Sequence, residues 1–585
     1  TTGGNNTALG TDALKANTTA SNNTAVGFLS LVLNTTGAFN TAIGSNALDA
    51  NTTGSNNTAV GYDALSLNTT ASNNTAVGFE ALKENTTGAS NVAVGQNSLA
   101  ANTTGNSTVA VGKNSLDANT VGANNVGIGT SALGSNTTAS NNTAVGHQSL
   151  LANTTGTQNV AVGNYALDAN TTGGGNSALG YGALGANTTG QNNIAIGHSA
   201  LDANTTSNNN VAIGLNALGA NTAGDNTAVG IHALKDNTTG SANVAVGTFA
   251  LVDNTTGSSN TGLGHGALGN NITGTQNVAV GRGSLATSNA GNNTAVGYNS
   301  LNANTTASNN TAVGAFALDV NTTGNSHVAI GVNALGSNIT GSSNTAVGFE
   351  SMKANTTGVN NAAFGYRTLY SNTSGTRNLA ILHNTLTNNT TGDDNAAIGQ
   401  GALFENTTGS ENVALGNHAL DANTTADGNT AVGYNALTAN TTGTANVAVG
   451  YQALDSNTTA NNNTAVGSSA LEANTTGIMN TAVGRGSLQA NTTAHYNTAV
   501  GNASLIANTT GSQNTAVGHD SLNDNTTGDF NIAMGSNALA KNTTGDNNVA
   551  VGQAALFYQT TGANNVAIGR DALHFNTTAS ENTAL

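Results

Sequence analysis

A glycine recurs at an interval of 17 residues along the whole chain, from Gly10 to Gly569. The interval shortens to 16 only at Gly230 and Gly297, and Leu382 is the only other residue at this position. These positions mark 34 copies of the unit N-T-A-V-G-x-x-A-L-x-A-N-T-T-G-x-x in 585 residues. Self-similarity at a fixed period is the signature of a repeat architecture, in which each unit packs on its neighbours.

The composition excludes several classes of protein. The chain has no cysteine, so disulfide frameworks and thiolate metal sites are excluded. It has 11 basic and 27 acidic residues, which are thinly spread, whereas a nucleic-acid surface needs clustered Lys and Arg. No apolar run approaches the roughly 18 residues of a membrane-spanning helix. We therefore expect neither nucleic-acid binding nor membrane insertion of this segment.

The repeats run through the chain without a linker or a shift in composition, so residues 1–585 are predicted to form a single uninterrupted array. The sequence starts within a unit, at Thr1-Thr2-Gly3, and stops at Leu585, where the next glycine is due. Solenoids normally finish with atypical capping repeats. We expect the chain to be a segment of a longer array without its caps.

Within the unit, a few positions hardly vary. With the glycine as position 0, position −2 is alanine or glycine, and position +4 is leucine in every copy except Met352. Position −4 is asparagine except at Thr108 and His327, and position +7 is asparagine except at Ser288 and Gln559. Positions +1, +2 and +5 change freely. A disordered chain has no reason to preserve such a pattern.

The pattern predicts an all-β fold, a β-solenoid or β-roll of 34 tandem repeats with one repeat per turn. In N-T-A-V-G, positions −3 and −1 alternate with −4 and −2, as in a short strand. A second strand is predicted over x-A-L-x-A, with the leucine in the core. Turns about 4.8 Å apart would make an elongated rod on the order of 160 Å long. Glycine tolerates corner conformations, and we assign corners to Gly44, Gly61, Gly78 and Gly95.

The asparagines at −4 and +7 allow two interpretations. Stacked asparagines can bond to their copies above and below, as in cross-β ladders, or asparagine can simply serve left-handed corners. Both interpretations stay open from the sequence. The ladder interpretation assigns structural roles to Asn51, Asn57, Asn68, Asn74 and Asn85.

The core of such a turn is small. If only positions −1 and +4 are buried, apolar burial of about 1.5–3 kcal/mol per side chain does not offset the ordering of a whole turn. Backbone ladders, asparagine stacks and packing against other chains would have to contribute. Alanine at −2 is expected to face away from the core as a flat seam for another rod. The alternative is a tight corner within the same chain.

The run N-T-A-V-G-x-x-A-L, as at residues 57–65, resembles the head repeats of trimeric autotransporter adhesins. A-N-T-T-G-x-x-N-T-A-V-G is also similar to repeats of bacterial surface proteins and phage tail-fibre-like proteins. The resemblance covers the whole chain and implies a β-roll, trimer formation and a place on a cell surface or virion. The unit departs from the adhesin repeat by a longer N-T-T-G corner.

The sequence shows no pattern typical of an enzyme. Histidines at +1 lie in copies far apart, so no shared metal centre is expected, and no cofactor motif occurs. Catalysis needs one asymmetric pocket, which a regular array disfavours. The N-T-T segments are formal N-glycosylation sites, although a structural role explains the same residues. Position +1 carries a discontinuous aromatic column, a candidate surface for sugars or partners: Tyr62, Phe79, Tyr181, Phe349, Tyr366, Tyr434 and Tyr451.

The sequence therefore predicts an extracellular structural or adhesive fibre, located on a cell surface or virion. Such a rod would serve as a surface appendage, stalk or self-assembling filament. Self-association into a trimer or a fibre is expected, together with a host-surface or glycan ligand. The alternative is an ice-binding or glycan-binding solenoid module.

Overall fold

The computed structural model describes residues 2–585 and consists of two compact units, the first ending at Asn292 and the second beginning at Asn293. Each unit is by itself a parallel β-solenoid with 17 residues in most turns. Residues 2–585 contain no helix, and so none that could cross a bilayer. The predicted all-β solenoid fold is confirmed. That all 585 residues act as one array stays a prediction.

Each turn contributes one short strand at positions −3 to −1. The strands of the first unit are β1 (Thr7–Leu9), β2 (Thr24–Val26), β3 (Thr41–Ile43), β4 (Thr58–Val60), β5 (Thr75–Val77), β6 (Val92–Val94), β7 (Val109–Val111), β8 (Val126–Ile128), β9 (Thr143–Val145), β10 (Val160–Val162), β11 (Ser177–Leu179), β12 (Ile194–Ile196), β13 (Val211–Ile213), β14 (Thr227–Val229), β15 (Val244–Val246), β16 (Thr261–Leu263) and β17 (Val278–Val280). Those of the second unit are β18 (Thr294–Val296), β19 (Thr311–Val313), β20 (Val328–Ile330), β21 (Thr345–Val347), β22 (Ala362–Phe364), β23 (Leu379–Ile381), β24 (Ala396–Ile398), β25 (Val413–Leu415), β26 (Thr430–Val432), β27 (Val447–Val449), β28 (Thr464–Val466), β29 (Thr481–Val483), β30 (Thr498–Val500), β31 (Thr515–Val517), β32 (Ile532–Met534), β33 (Val549–Val551), β34 (Val566–Ile568) and β35 (Thr583–Ala584).

Within each unit, every strand pairs in parallel with the strand one turn away, and equivalent positions face each other. Ala59 of β4, for example, pairs with Ala76 of β5. The 16-residue interval keeps this register, since Val211 pairs with Thr227. The missing residue is one threonine of the N-T-T-G corner, which is shortened to N-T-A at residues 221–223, where Asn221 Nδ2 donates to the Ala223 carbonyl. Equivalent positions, most of them with identical side chains, are therefore stacked one above another.

The strands place −4 and −2 inside the solenoid and −3 and −1 outside. Asn57 and Ala59 are fully buried, whereas Ile43 at −1 is 40% exposed. The expectation that −2 forms an outward seam and that −1 is buried is therefore wrong. The alternation of the strand is as predicted, but the more hydrophobic face, at −3 and −1, is not the one that faces the interior. Asparagine is tolerated inside because its amide is paired, and buried polar groups that are paired are not costly.

The segment from 0 to +6 is a series of turns and not the predicted second strand. Its backbone is left-handed at +2 and +4, as at Asp63 (φ 51°) and Leu65 (φ 54°). A left-handed residue costs roughly 1–2 kcal/mol, which burial of the leucine side chain, about 1.5–3 kcal/mol, offsets. The Leu65 amide also donates to the Ala81 carbonyl of the next turn at 2.9 Å. Leucine at +4 lies in the core, as predicted.

Candidate functional site

The asparagines at +7 form a hydrogen-bonded ladder inside each unit. Asn51 Nδ2 donates to Asn34 Oδ1 of the preceding turn at 2.8 Å, and Asn68 Nδ2 donates to Asn51 Oδ1 at 3.0 Å. The same Asn51 amide donates to the Gly54 carbonyl at 3.0 Å. The Asn51 amide is thus used on both sides while it remains completely buried.

The asparagines at −4 form a second ladder that meets the first. The Asn57 backbone amide donates to Asn40 Oδ1 of the preceding turn at 3.0 Å. Asn57 Nδ2 donates at 2.9 Å to the Ala71 carbonyl, which also accepts from Asn68 Nδ2 at 3.0 Å. One carbonyl at +10 therefore joins both columns in each turn. The ladder predicted for Asn51, Asn57, Asn68, Asn74 and Asn85 is present.

The alternative interpretation, that these asparagines serve left-handed corners, applies to other positions. Neither Asn51 nor Asn57 has a positive φ. Left-handed asparagines occur instead at +2 and −5, as at Asn46 (φ 54°) and Asn56 (φ 59°). The glycine corners are a separate feature: Gly44, Gly61, Gly78 and Gly95 have φ of 137°, 140°, 140° and 134°. A Cβ at Gly44 would lie 2.2 Å from the Gly61 carbonyl oxygen, so these corners also need the close approach of backbones.

His327 replaces asparagine at −4 and reproduces its hydrogen bonds. Nδ1 accepts from the Asn344 backbone amide at 3.2 Å, and Nε2 lies 2.6 Å from the Gly341 carbonyl, to which it donates. These roles require the neutral imidazole with its proton on Nε2. Burial lowers the pKa of His327 from 6.5 to about 4. The ladder therefore excludes the charged form.

The outward face of the sheet carries no charge. Positions −3 and −1 hold no Asp, Glu, Lys or Arg in any copy, and −1 is always apolar. The side chains at −1 are partly exposed, with Leu179 at 49% and Leu415 at 46%. We call these two columns the outward face. Large apolar patches on soluble proteins mark interaction surfaces.

The aromatic residues at +1 stack on one another where copies are adjacent. Ring centroids lie 5.4 Å apart for Tyr62 and Phe79, and 5.8 Å apart for Tyr434 and Tyr451. Phe349 stacks on Tyr366 at 5.5 Å. Each of these rings therefore turns at least one face towards its neighbour.

Histidines also stack on aromatic rings of the +1 column at two places, which the sequence did not predict. His198 stacks on Tyr181 at 5.3 Å, and His383 stacks on Tyr366 at 5.1 Å. The histidines stand at +1, like the aromatic residues on which they stack, and this shared position is the sequence feature that could have predicted the contacts. Whether the aromatic column binds a ligand stays a prediction.

Charged groups lie mainly at +2, +5 and +6, on the surface formed by the turn segments. Positions +2 and +5 are close enough for ion pairs, such as Lys83 Nζ with Glu80 Oε1 at 2.8 Å. Burial raises the pKa of several aspartates at +5 above the usual value: Asp49, Asp117, Asp168, Asp202, Asp319 and Asp455. Among residues 2–585, no three His, Asp or Glu side chains converge as a metal site would require.

The asparagine of each formal N-T-T glycosylation site is the ladder residue at +7. Asn170, for example, is fully buried, and its Nδ2 donates to both Asn153 Oδ1 at 2.9 Å and the Gly173 carbonyl at 3.0 Å. A glycan on this nitrogen would replace one of these hydrogens and occupy the filled interior. The folded turn has no room for modification at this atom.

Comparison with known proteins adds no relative. No family model matches the chain, and none of the curated proteins matches it. The likeness to adhesin head repeats therefore remains a resemblance of motif, and the function must be inferred from the geometry of the ladder and the exposed faces.

Proposed function

We propose that this chain is a structural fibre element, an extracellular β-solenoid that serves as a surface appendage, stalk or self-assembling filament with an adhesive role. The observation that carries the proposal is the in-register stacking of the turns in each unit, which repeat the same buried asparagine, alanine and leucine columns with few exceptions. Such stacking gives length and rigidity from a short unit. The extracellular placement is supported by the motif resemblance.

Self-association through the outward face forms part of this proposal. The first unit has 17 strands. At about 4.8 Å per strand and a width of about 10 Å, its outward face covers about 800 Å². A standard protein interface buries about 800 Å² on each partner. A second copy of the chain fits best, because it brings an equally uncharged face with the same axial spacing.

Analytical ultracentrifugation of the chain tests this association directly. We expect a trimer or a larger fibre at micromolar concentration. The double variant V94K/V145K places two charges at −1 on the outward face and should yield monomers. The variant Q96K/H147K is the matched control, since it places the same charges two residues away, at exposed +1 positions of the same turns. A monomeric parent chain, or equal association of both variants, would contradict the proposal.

The extracellular location has its own test. An antibody raised against the chain should label intact source cells or virions. Labelling that requires permeabilised cells would contradict the extracellular placement and leave the structural role to be judged by the association experiment.

Ice binding is the second candidate, and one observation favours it. Threonines at −3 lie on the same outward face as the apolar −1 column, and consecutive turns repeat them in register, as for Thr24 with Thr41. A flat face of alternating hydroxyl and methyl groups can order water at a fixed spacing. Thermal hysteresis in solutions of the V94K/V145K monomer and of the parent chain would reveal such activity. Its absence from both would remove this candidate.

A further inference from the structure

Gly401 interrupts the column of side chains at +2. It is left-handed (φ 67°) and lies between Asn384 and His418, which occupy +2 in the two neighbouring turns. A Cβ at Gly401 would lie 3.0 Å from His418 Nδ1, so the imidazole of His418 lies over the Gly401 backbone, which is buried. Most other copies fill this position with a side chain.

A cleft of about 200 Å³ beside Gly401 is lined by Asn384, Gln400, Gly401, Phe404, His418 and Asp421. Phe404 at +5 is half-buried and belongs to the same turn as Gly401. Since Gly401 has no side chain at +2, Phe404 at +5 of the same turn forms part of the cleft wall. In the next turn, His418 Nδ1 lies 2.9 Å from Asp421 Oδ2. This contact fixes the Asp421 carboxylate and leaves Oδ1 available to a ligand.

The chemistry of the lining selects an amphipathic ring. Drug-sized ligands occupy pockets of about 300–1,000 Å³, so this smaller cleft suits a single ring. A purely apolar ligand would desolvate the Asp421 carboxylate without a partner, which is costly. An anion would be repelled by the same carboxylate, and a metal cation would need at least three converging His, Asp or Glu ligands, which the described residues do not provide here. A sugar ring has an apolar C–H face for the phenyl ring and hydroxyls for carboxylate and amides.

We propose that this cleft binds one pyranose ring of a glycan. Phe404 packs against the C–H face of the sugar, Asp421 Oδ1 accepts from a hydroxyl, and the side-chain amides of Asn384 and Gln400 bond the remaining hydroxyls. His418 is a positioning residue that holds Asp421. The inference deepens the proposed adhesive role, since it supplies a class of ligand, and it does not depend on self-association.

Two larger clefts on the same surface lack this combination, and a cleft that has it, beside Phe557, Asp520 and Asn537, has a volume of only about 90 Å³, less than half that of the Gly401 cleft. The cleft beside Gly486, of about 210 Å³, is lined by Arg485, Gln489 and small residues without an aromatic ring. The cleft beside Gly219, of about 360 Å³, places Lys235 near Asp202 and also lacks an aromatic ring. Phe404 therefore distinguishes the Gly401 cleft from the two larger clefts.

Saturation-transfer difference NMR with the methyl glycosides of glucose, galactose, mannose and N-acetylglucosamine tests the proposal on the full chain. We expect at least one of these sugars to receive saturation. Gly401→Asn introduces a residue that is common at +2 and suits the left-handed backbone, and its side chain displaces the His418 ring into the cleft, so binding should fall at least tenfold. Gly266→Asn is the matched control, because a Cβ at that +2 glycine meets no atom within 4 Å, and it should bind as the parent does.

Asp421→Asn keeps the shape of the side chain and removes its charge, so it should weaken binding about tenfold even if Gly401→Asn disturbs the fold. No saturation of any of the four sugars, or undiminished binding by both cleft variants, would overturn the proposal. The monomeric variant V94K/V145K should bind sugar as the parent does. Loss of sugar binding can thus be distinguished from loss of self-association.

Discussion

Most asparagines of the +7 ladder have their side-chain amide fully engaged, so a single substitution affects three turns. Among residues 2–585 the exceptions are Asn204, Asn271 and Asn542, whose Oδ1 has no partner. Asn170 donates to Asn153 and accepts from Asn187 Nδ2 at 2.8 Å. Leaving a buried donor or acceptor unpaired costs about 1–3 kcal/mol. The ladder therefore contributes to stability mainly through the penalty for breaking it, and the near-invariance of this position follows from that penalty.

We expect Asn170→Ala to destabilise the turns around it by about 3 kcal/mol, because it strands Asn153 Oδ1 and one amide hydrogen of Asn187. Local opening would then be about 100-fold more frequent, since each 1.4 kcal/mol is about a factor of ten. Hydrogen exchange of the backbone amides in these turns measures the change. Thr172→Ala, two residues away at the exposed +9 position, is the control and should leave exchange almost unaltered. Equal protection in both variants would show that the ladder is dispensable.

The histidine in the −4 ladder should make stability depend on pH. In the unfolded chain His327 binds a proton below its ordinary pKa of 6.5, whereas in the folded chain it does so only below about 4. Between these values the unfolded state binds more protons, so stability is complete above pH 6.5 and falls as the pH drops towards 4. The gap corresponds to about 3 kcal/mol.

Urea denaturation of the parent chain and of H327N at pH 7, 5.5 and 4 measures this dependence. The variant restores the asparagine of the other copies and retains every other titrating group. The free energy of unfolding of the parent should therefore fall relative to H327N by about 3 kcal/mol across this range. Parallel pH profiles for the two proteins would mean that His327 does not enter the ladder as a neutral ring.

At the scale of the strand, the structure reverses inside and outside relative to the sequence prediction. The alternation in N-T-A-V-G predicts a strand, but a period of two does not show which of its two faces is buried. Hydrophobicity favours burying −1, but Asn57 and Ala59 are buried because the +10 carbonyl and the next turn satisfy the amide. That partner lies 14 residues along the chain, at the other end of the same unit, and the sequence does not show that the two ends meet.

Two substitutions in β9 test whether position −2 or position −1 is the buried one. Ala144 at −2 is fully buried, so Ala144→Leu should destabilise the solenoid by about 1–3 kcal/mol through overpacking. Val145→Leu at −1 adds a methylene on the outward face, where Leu179 and Leu263 already occur, and should change stability by less than about 0.5 kcal/mol. Urea midpoints of the two variants provide the comparison. If Val145→Leu destabilised the chain more than Ala144→Leu, position −1 and not −2 would be the buried one.

The turn segment shows where prediction from sequence is limited. The regular leucine at +4 correctly predicts a buried side chain, but nothing in Leu65 itself indicates a left-handed backbone, since leucine seldom adopts it. Inter-turn hydrogen bonds impose that conformation. The Gly401 cleft was missed for a similar reason. Its signal was a glycine at +2 with an aromatic residue at +5, and only the observed turn shows that these positions are adjacent.

At the scale of the whole molecule, association should depend little on salt. The net charge of −16 is spread over 585 residues, and the outward face contains no charged residue in any copy. Interfaces formed by ion pairs weaken as salt screens them, whereas apolar burial does not. Sedimentation in 0.05 M and 1 M NaCl should give the same or stronger association at the higher salt. Dissociation at 1 M NaCl would point to another surface.

The stacking of identical side chains, one turn upon the next, is the claim on which the fold and the proposed function both depend. X-ray fibre diffraction from aligned chains tests it most directly. We predict a strong meridional reflection at about 4.8 Å, the spacing of hydrogen-bonded strands along the axis. A meridian without this reflection, or with the 1.5 Å rise per residue of α-helices, would contradict the account.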